Sequence, residues 1–223
     1  MTPFPPEAPR NCALCPRLVA YREQNARAEP SWFNGPAPSF GDDNARLLIV
    51  GLAPGRTGAN RTGRPFTGDY AGELLYGTLK KLRLAQGEYR ADPKDDFVLK
   101  GAMITNAVRC APPENKPTPA EIAACRPFLS ARIAALPNLR AILALGSIAH
   151  DSVLRAHDLK PGAAKFAHGA EFGLTGARVL ISSYHCSRYN TQTRRLTAEM
   201  FEAVMARAKE IAFRRTPRSA CNG

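Results

Sequence analysis

The chain has 223 residues, with 31 Lys and Arg against 19 Asp and Glu and a formal net charge of +12. That length is enough for one hydrophobic core and short for two, and the charge calls for a polyanionic partner, nucleic acid or an anionic membrane surface. No apolar run approaches the roughly 20 residues of a spanning helix, which argues against a membrane. The opening MTPFPPEAPRNCALC has no basic segment followed by an apolar stretch, so a secretory signal is not expected and a cytoplasmic protein is.

In chain order, residues 1–11 are rich in proline and polar side chains and read as a loose end, as do residues 214–223. A single domain is expected over 1–223. Cys12 and Cys15 form C-x2-C. An apolar strand, Leu47 to Leu52, then opens into GLAPGRTGANRTGRPFTGD, Gly51 to Asp69. Such a loop leaves backbone N–H groups free at the strand end amid positive charge, the setting an anion requires. Gly51, Ala53, Asn60, Arg61 and Arg64 are the candidate ligand contacts of this loop. Phe66, set among polar and glycine residues, either stacks on a flat ligand or plugs the loop from beneath. Asp69 has two readings, a catalytic carboxylate or a cap on the helix starting near Tyr70.

Leu75, Leu79 and Leu82 mark one face of that helix. A second strand, Ala102 to Val108, carries Asn106, whose carboxamide either matches the edge of a nucleobase or satisfies buried backbone. After a Pro-rich loop, Thr118, Pro119 and Glu121 spell a capping box ahead of a helix with Ile122, Cys125, Leu129 and Ile133 on one face. A third strand runs from Ala141 to Gly146, a helix starts at Ser147, and a fourth strand covers Val179 to Ser183. Leu196, Met200, Val204, Ala208 and Ile211 mark the last helix.

These strands are apolar on both sides of their alternation, as when both faces of a parallel sheet are covered. The expected architecture is a three-layer α/β/α sandwich around a central four-stranded parallel sheet, with the ligand crevice beyond the strands' carboxyl ends. The Gly51 loop and the segments after Asn106 and Ser183 then share one rim. His185 lies on it, followed by Ser187, Arg188, Tyr189, Asn190, Arg194 and Arg195. A basic loop interleaved with an aromatic suits a duplex, arginines meeting phosphates while Arg188 or Tyr189 enters the stack. His150, His157 and His168 have no companion signal and read as structural or surface.

Six cysteines in a reducing compartment need an explanation other than disulfides. Cys12, Cys15, Cys110 and Cys125 form a four-sulfur set open to zinc or an iron–sulfur cluster, unless Cys110 and Cys125 are merely small buried hydrophobes. Cys186 reads as a passive thiol and Cys221 as uninvolved.

The Gly51 loop, ITNAVRCAPP, the early C-x2-C and HCSRYNTQTRRLT together resemble uracil-DNA glycosylases of the iron–sulfur type, and the fifth family more closely than the fourth. The resemblance covers Cys12 to about Ile211. It implies a monofunctional enzyme that hydrolyses the N-glycosidic bond of uracil, and of other deaminated bases, in DNA. It implies a structural [4Fe-4S] cluster on Cys12, Cys15, Cys110 and Cys125, and DNA as partner of a monomer. It further implies that Phe66 stacks on the flipped base, Asn106 bonds its pairing edge and His185 donates to its oxygen. The GxAPG turn holds no acid here, which leaves Asp69 as the nearest group to orient water or stabilise the cationic sugar. Two positions depart from the family pattern: Cys186 replaces a proline and Arg194 a glycine. The competing readings are a mononucleotide-binding enzyme, disfavoured by a loop with no lysine, and a non-catalytic DNA-binding module.

Overall fold

A computed structural model describes residues 4–214. The chain runs through α1 (Pro16–Ala28), β1 (Phe40–Gly41), β2 (Leu47–Gly51), α2 (Ala59–Thr62) and α3 (Tyr70–Lys81). A short hairpin-like pair, β3 (Ala85–Gln86) and β4 (Val98–Leu99), precedes β5 (Ala102–Asn106), α4 (Pro119–Ala134), β6 (Ala141–Leu145) and α5 (Ser147–Ala156). The last third holds β7 (Glu171–Leu174), β8 (Arg178–Ser183), α6 (Arg188–Gln192) and α7 (Ala198–Phe213). No helix of the described residues is long and apolar enough to cross a membrane.

The main sheet has the order β1-β5-β2-β6-β8-β7. Its four central strands are parallel, as the sequence predicts, but the sheet has six strands rather than four. The two additions are antiparallel edges. Neither announces itself, because β1 is two residues long and β7 buries only Leu174.

The central strands build the layers by simple alternation. Leu47 and Ile49 of β2 face Leu75 and Leu79 of α3 and Phe201 and Met205 of α7. Leu48 and Val50 face Leu129 and Ile133 of α4 and Ala149 and Val153 of α5. All five residues of β2 are buried, and each large aliphatic side chain so enclosed is worth about 1.5–3 kcal/mol. Helix starts follow their caps: Thr118 and Glu121 form the expected capping box of α4, and the Thr197 side chain accepts from the N–H of Met200 to begin α7 just after Leu196.

The amino-terminal segment corrects an expectation. Residues 4–11 are not loose, because Glu7 accepts from Arg132 and from the N–H of Ser39, lies 3.3 Å from Arg109, and Phe4 packs edge-on against Phe128. Residues 1–3 and 215–223, Cys221 among them, lie outside the described residues.

Candidate active site

Parallel pairing places Gly51 of β2 directly beside Asn106 of β5 at the carboxyl end of the sheet. A Cβ on Gly51 would lie 2.6 Å from Cζ of Phe66 and closer still to the Asn106 carboxamide oxygen. Glycine is therefore what lets ring and amide approach one another. Asn106 is 3 % exposed, and its Oδ1 has no hydrogen-bond partner among the described residues. Such a buried acceptor costs free energy until something donates to it. Phe66 sits at φ +55°, a left-handed backbone that bulky residues rarely adopt.

His185 follows β8, its ring centroid 6.0 Å from that of Phe66 and its plane tilted by 28°. Desolvation drives its pKa down to about 4, so the imidazole is neutral at pH 7 and carries one donor. The Asn190 amide donates to the His185 carbonyl at 2.8 Å and fixes the backbone there.

Asp69 caps α3, its Oδ1 accepting from the N–H of Gly72 at 3.0 Å. Burial raises its carboxyl above the ordinary range, while the N–H groups of Gly72 and Ala71 pull the other way. It also faces the loop: a Cβ on Gly58 would meet its Oδ2 at 2.7 Å. Phe66, Asp69, Asn106 and His185 all line one cavity of about 440 Å3, together with Ala53, Ser187 and Arg188.

Other expected contacts distribute unevenly. Tyr189, 71 % exposed, stands on α6 outside that lining, and the Arg188 guanidinium lies 5.2 Å above the Tyr70 ring. Arg61, Arg194 and Arg195 are exposed, Arg195 over Tyr184. Asn60 and Arg64 correct the reading: both are buried and spend their polar groups inside the fold. Asn60 donates to Asn34, and Arg64 is engaged by Asp95. Asn190 likewise spends its amide on His185. Leu52, Arg56, Tyr70 and Asn115 also line the cavity and were missed. For Asn115 a signal existed in the PENK turn, where Glu114 and Asn115 both take positive φ. The other histidines are structural, His150 being held between Ser182 and the carbonyl of Ala164.

Cys12, Cys15, Cys110 and Cys125 share a second cavity, where the Cys15 backbone caps α1. None is in a disulfide among the described residues. Among the described residues no three His, Cys, Asp or Glu side chains converge as a site for a single ion. The donor set is nevertheless all sulfur. Arg22 donates to Sγ of Cys110 at 3.7 Å and the Arg109 N–H to Sγ of Cys125 at 3.3 Å, contacts suited to thiolates. Burial pushes the bare Cys110 thiol up to about 11 and Cys125 to about 12. Cys186, fully buried, is a passive core thiol beside His185.

The family model described as Uracil DNA glycosylase superfamily matches residues 38–209. A type-5 uracil-DNA glycosylase of Thermus thermophilus is 49% identical over 207 residues, covering 90% of this chain and 94% of that protein. One of Pyrobaculum aerophilum is 42% identical over 202 residues, 89% of this chain and 88% of its own. A type-4 uracil-DNA glycosylase of Thermotoga maritima is 32% identical over 192 residues, 83% and 90% of the two chains. A match through the whole sheet, with type-5 relatives aligned along nine-tenths of its length, places the chain in the uracil-DNA glycosylase superfamily, beside the type-5 enzymes.

Proposed function

We propose that this protein hydrolyses the N-glycosidic bond of uracil, and of other deaminated bases, in DNA, leaving an abasic site for repair. One observation carries the choice of base: the unpartnered Asn106 Oδ1 at the wall of the cavity. Uracil presents an N3–H donor to that acceptor and a carbonyl to the neighbouring NH2. Cytosine presents a lone pair at N3, which leaves two acceptors face to face, and unpaired buried polar groups discriminate strongly.

The remaining residues then take roles their positions allow. The base leaves the stack at a cost of a few kcal/mol and recovers it by stacking on Phe66 and bonding to Asn106. As the glycosidic bond breaks, negative charge collects on the base, and the neutral His185 donates its N–H to the base oxygen. A pre-placed donor of this kind is worth roughly 3–4 kcal/mol. Asp69 offsets the positive charge on the sugar and orients the water, whose hydroxyl adds to C1′ while its proton passes through the carboxylate to the departing base anion. Arg61, Ser187, Arg188, Tyr189, Arg194 and Arg195 contact the nucleic acid, with Arg188 or Tyr189 filling the gap left by the base.

Cys12, Cys15, Cys110 and Cys125 hold a [4Fe-4S] cluster in this reading, supported by four thiols in one cavity with N–H groups already turned to two of them. When bound, it supplies iron–thiolate bonds that staple the amino-terminal segment to the end of β5 and to α4. In this reading the protein acts on DNA as a monomer. Unpaired cysteines suit the reducing cytoplasm.

The test is incubation of the anaerobically purified holoprotein with uracil-containing duplex DNA. Uracil should be released, and strands should break only after alkali. His185→Ala should slow release by about 100-fold or more while abasic DNA still binds. DNA binding without release in either form would replace the enzyme with a non-catalytic DNA-binding module.

A further inference from the structure

Phe66 occupies its left-handed backbone position because neighbours on every side fix it. Two residues before it, Arg64 is 5 % exposed and turned inward. Its Nη1 and Nη2 donate to the two carboxylate oxygens of Asp95 at 2.6 and 2.8 Å, and its Nε donates to Oγ1 of Thr67 at 2.7 Å. The guanidinium therefore bridges the residue on the far side of Phe66 to the α3–β5 connection. Phe40, Tyr76 and Tyr89 enclose it, with ring centroids 5.1–5.6 Å from its central carbon.

Asp95 is itself fully committed, accepting also from the N–H groups of Arg90 and Phe97 at 3.0 and 3.1 Å. The hydrogen bond from Arg64 holds its carboxyl down at about 2. That connection and α3 together grip the backbone at Phe66 and the residue before it. Tyr89 Oη donates to the Phe66 carbonyl at 3.3 Å, and Tyr76 Oη donates to the Pro65 carbonyl at 2.5 Å. A side chain on Gly72 would collide with the Phe66 carbonyl, so α3 also lies tight against it.

We infer that the Arg64–Asp95 ion pair, braced by Tyr89, is a positioning device that sets the Phe66 ring for base stacking. The inference rests on the stacking role given to Phe66 above. Arg64 never touches the base; it acts through the loop that Phe66 rides on. A bidentate fork fixes both distance and orientation, which a lysine ammonium does not.

A double-mutant cycle between Arg64→Lys and Phe66→Ala tests this, read as single-turnover uracil release from a single-stranded oligonucleotide and as affinity for an abasic duplex. Arg64→Lys should slow release about tenfold, since small misplacements of a positioned group are costly. Affinity for abasic DNA should stay within about twofold of wild type. In the Phe66→Ala background the same substitution should change nothing further, because the ring it serves is gone. Equal slowing in both backgrounds would overturn the positioning role and leave Arg64 a general stabiliser. Wild-type release by Phe66→Ala alone would instead sink the stacking reading, and the inference with it. Should Arg64→Lys not fold, Tyr89→Phe removes a single hydroxyl and runs the same cycle, with the same two outcomes.

Discussion

At the scale of single residues, His185 and Asp69 are moved in opposite senses by the same cause. Loss of water lowers the imidazole to about 4 and raises the carboxyl above its usual range. For His185 the sign follows directly. The unfolded chain binds the proton at about 6.5 and the folded chain only near 4, so stability is full above the unfolded value and falls as pH drops through the folded one. An NMR titration of the ring should show a midpoint near 4; a midpoint at the ordinary value would mean the ring is solvated and available as a cation. Asp69 poses a different question, since its carboxylate caps α3 and also lines the cavity. Asparagine caps helices as well as aspartate does, and alanine does not. Asp69→Asn should therefore keep the melting temperature while lowering the rate of base release by tenfold or more, whereas Asp69→Ala should also lose about 1 kcal/mol of stability. Equal activity in wild type and Asp69→Asn would reduce this residue to a cap.

At the scale of elements, what the sequence reveals depends on whether a residue's partner is close in the chain. The four buried strands and α4 were legible because their apolar runs and capping box are local patterns. So were the rim positions of Asn106, which ends a strand, and His185, which follows one, while Phe66 stood out as an aromatic in the glycine-rich loop between β2 and α3. Helix α1 was not, because it buries only Leu18 and Asn25 and has no apolar stripe to show. Arg64 was misread for a related reason: a guanidinium in a glycine-rich loop suggests phosphate unless one can see Asp95, 31 residues downstream. Helix α1 is held instead by Arg17, which reaches both carboxylate oxygens of Glu121 at 2.7 Å, 104 residues away. That hydrogen bond is also the main cause of the lowered Glu121 carboxyl. The link is intact above the ordinary glutamate range and lost only as pH falls through the lowered Glu121 value. Glu121→Gln keeps an acceptor for the cap but loses the charge. Amide exchange should then quicken throughout α1 at neutral pH while α4 stays protected; unchanged α1 protection would show that the ion pair contributes nothing to docking.

For the whole molecule, the charge of +12 matters only where cations are free to meet phosphates. Arg64, Arg109 and Arg132 are buried and paired with acids, so they add to the net charge without adding to the binding surface. Arg188, Arg194 and Arg195 make no ion pair with the described residues and follow His185 in one exposed segment, Arg188 lining the cavity. Arg194 holds a left-handed backbone at φ +57°, which a glycine would adopt at less cost. The function proposed above gives its side chain a phosphate contact that offsets this strain. Each contact releases condensed counterions, and the slope of log affinity against log salt falls by about 0.9 per contact removed on duplex DNA and about 0.7 on single strands. Arg188→Ala and Arg194→Ala should each lower the slope by about that amount, and Arg64→Gln should leave it unchanged although it removes a full positive charge. Comparing the duplex and single-strand slopes then tells which form of DNA the rim was shaped to hold. If Arg194→Gly binds with an unaltered salt slope and raises the melting temperature, the residue is tolerated strain and not a DNA contact.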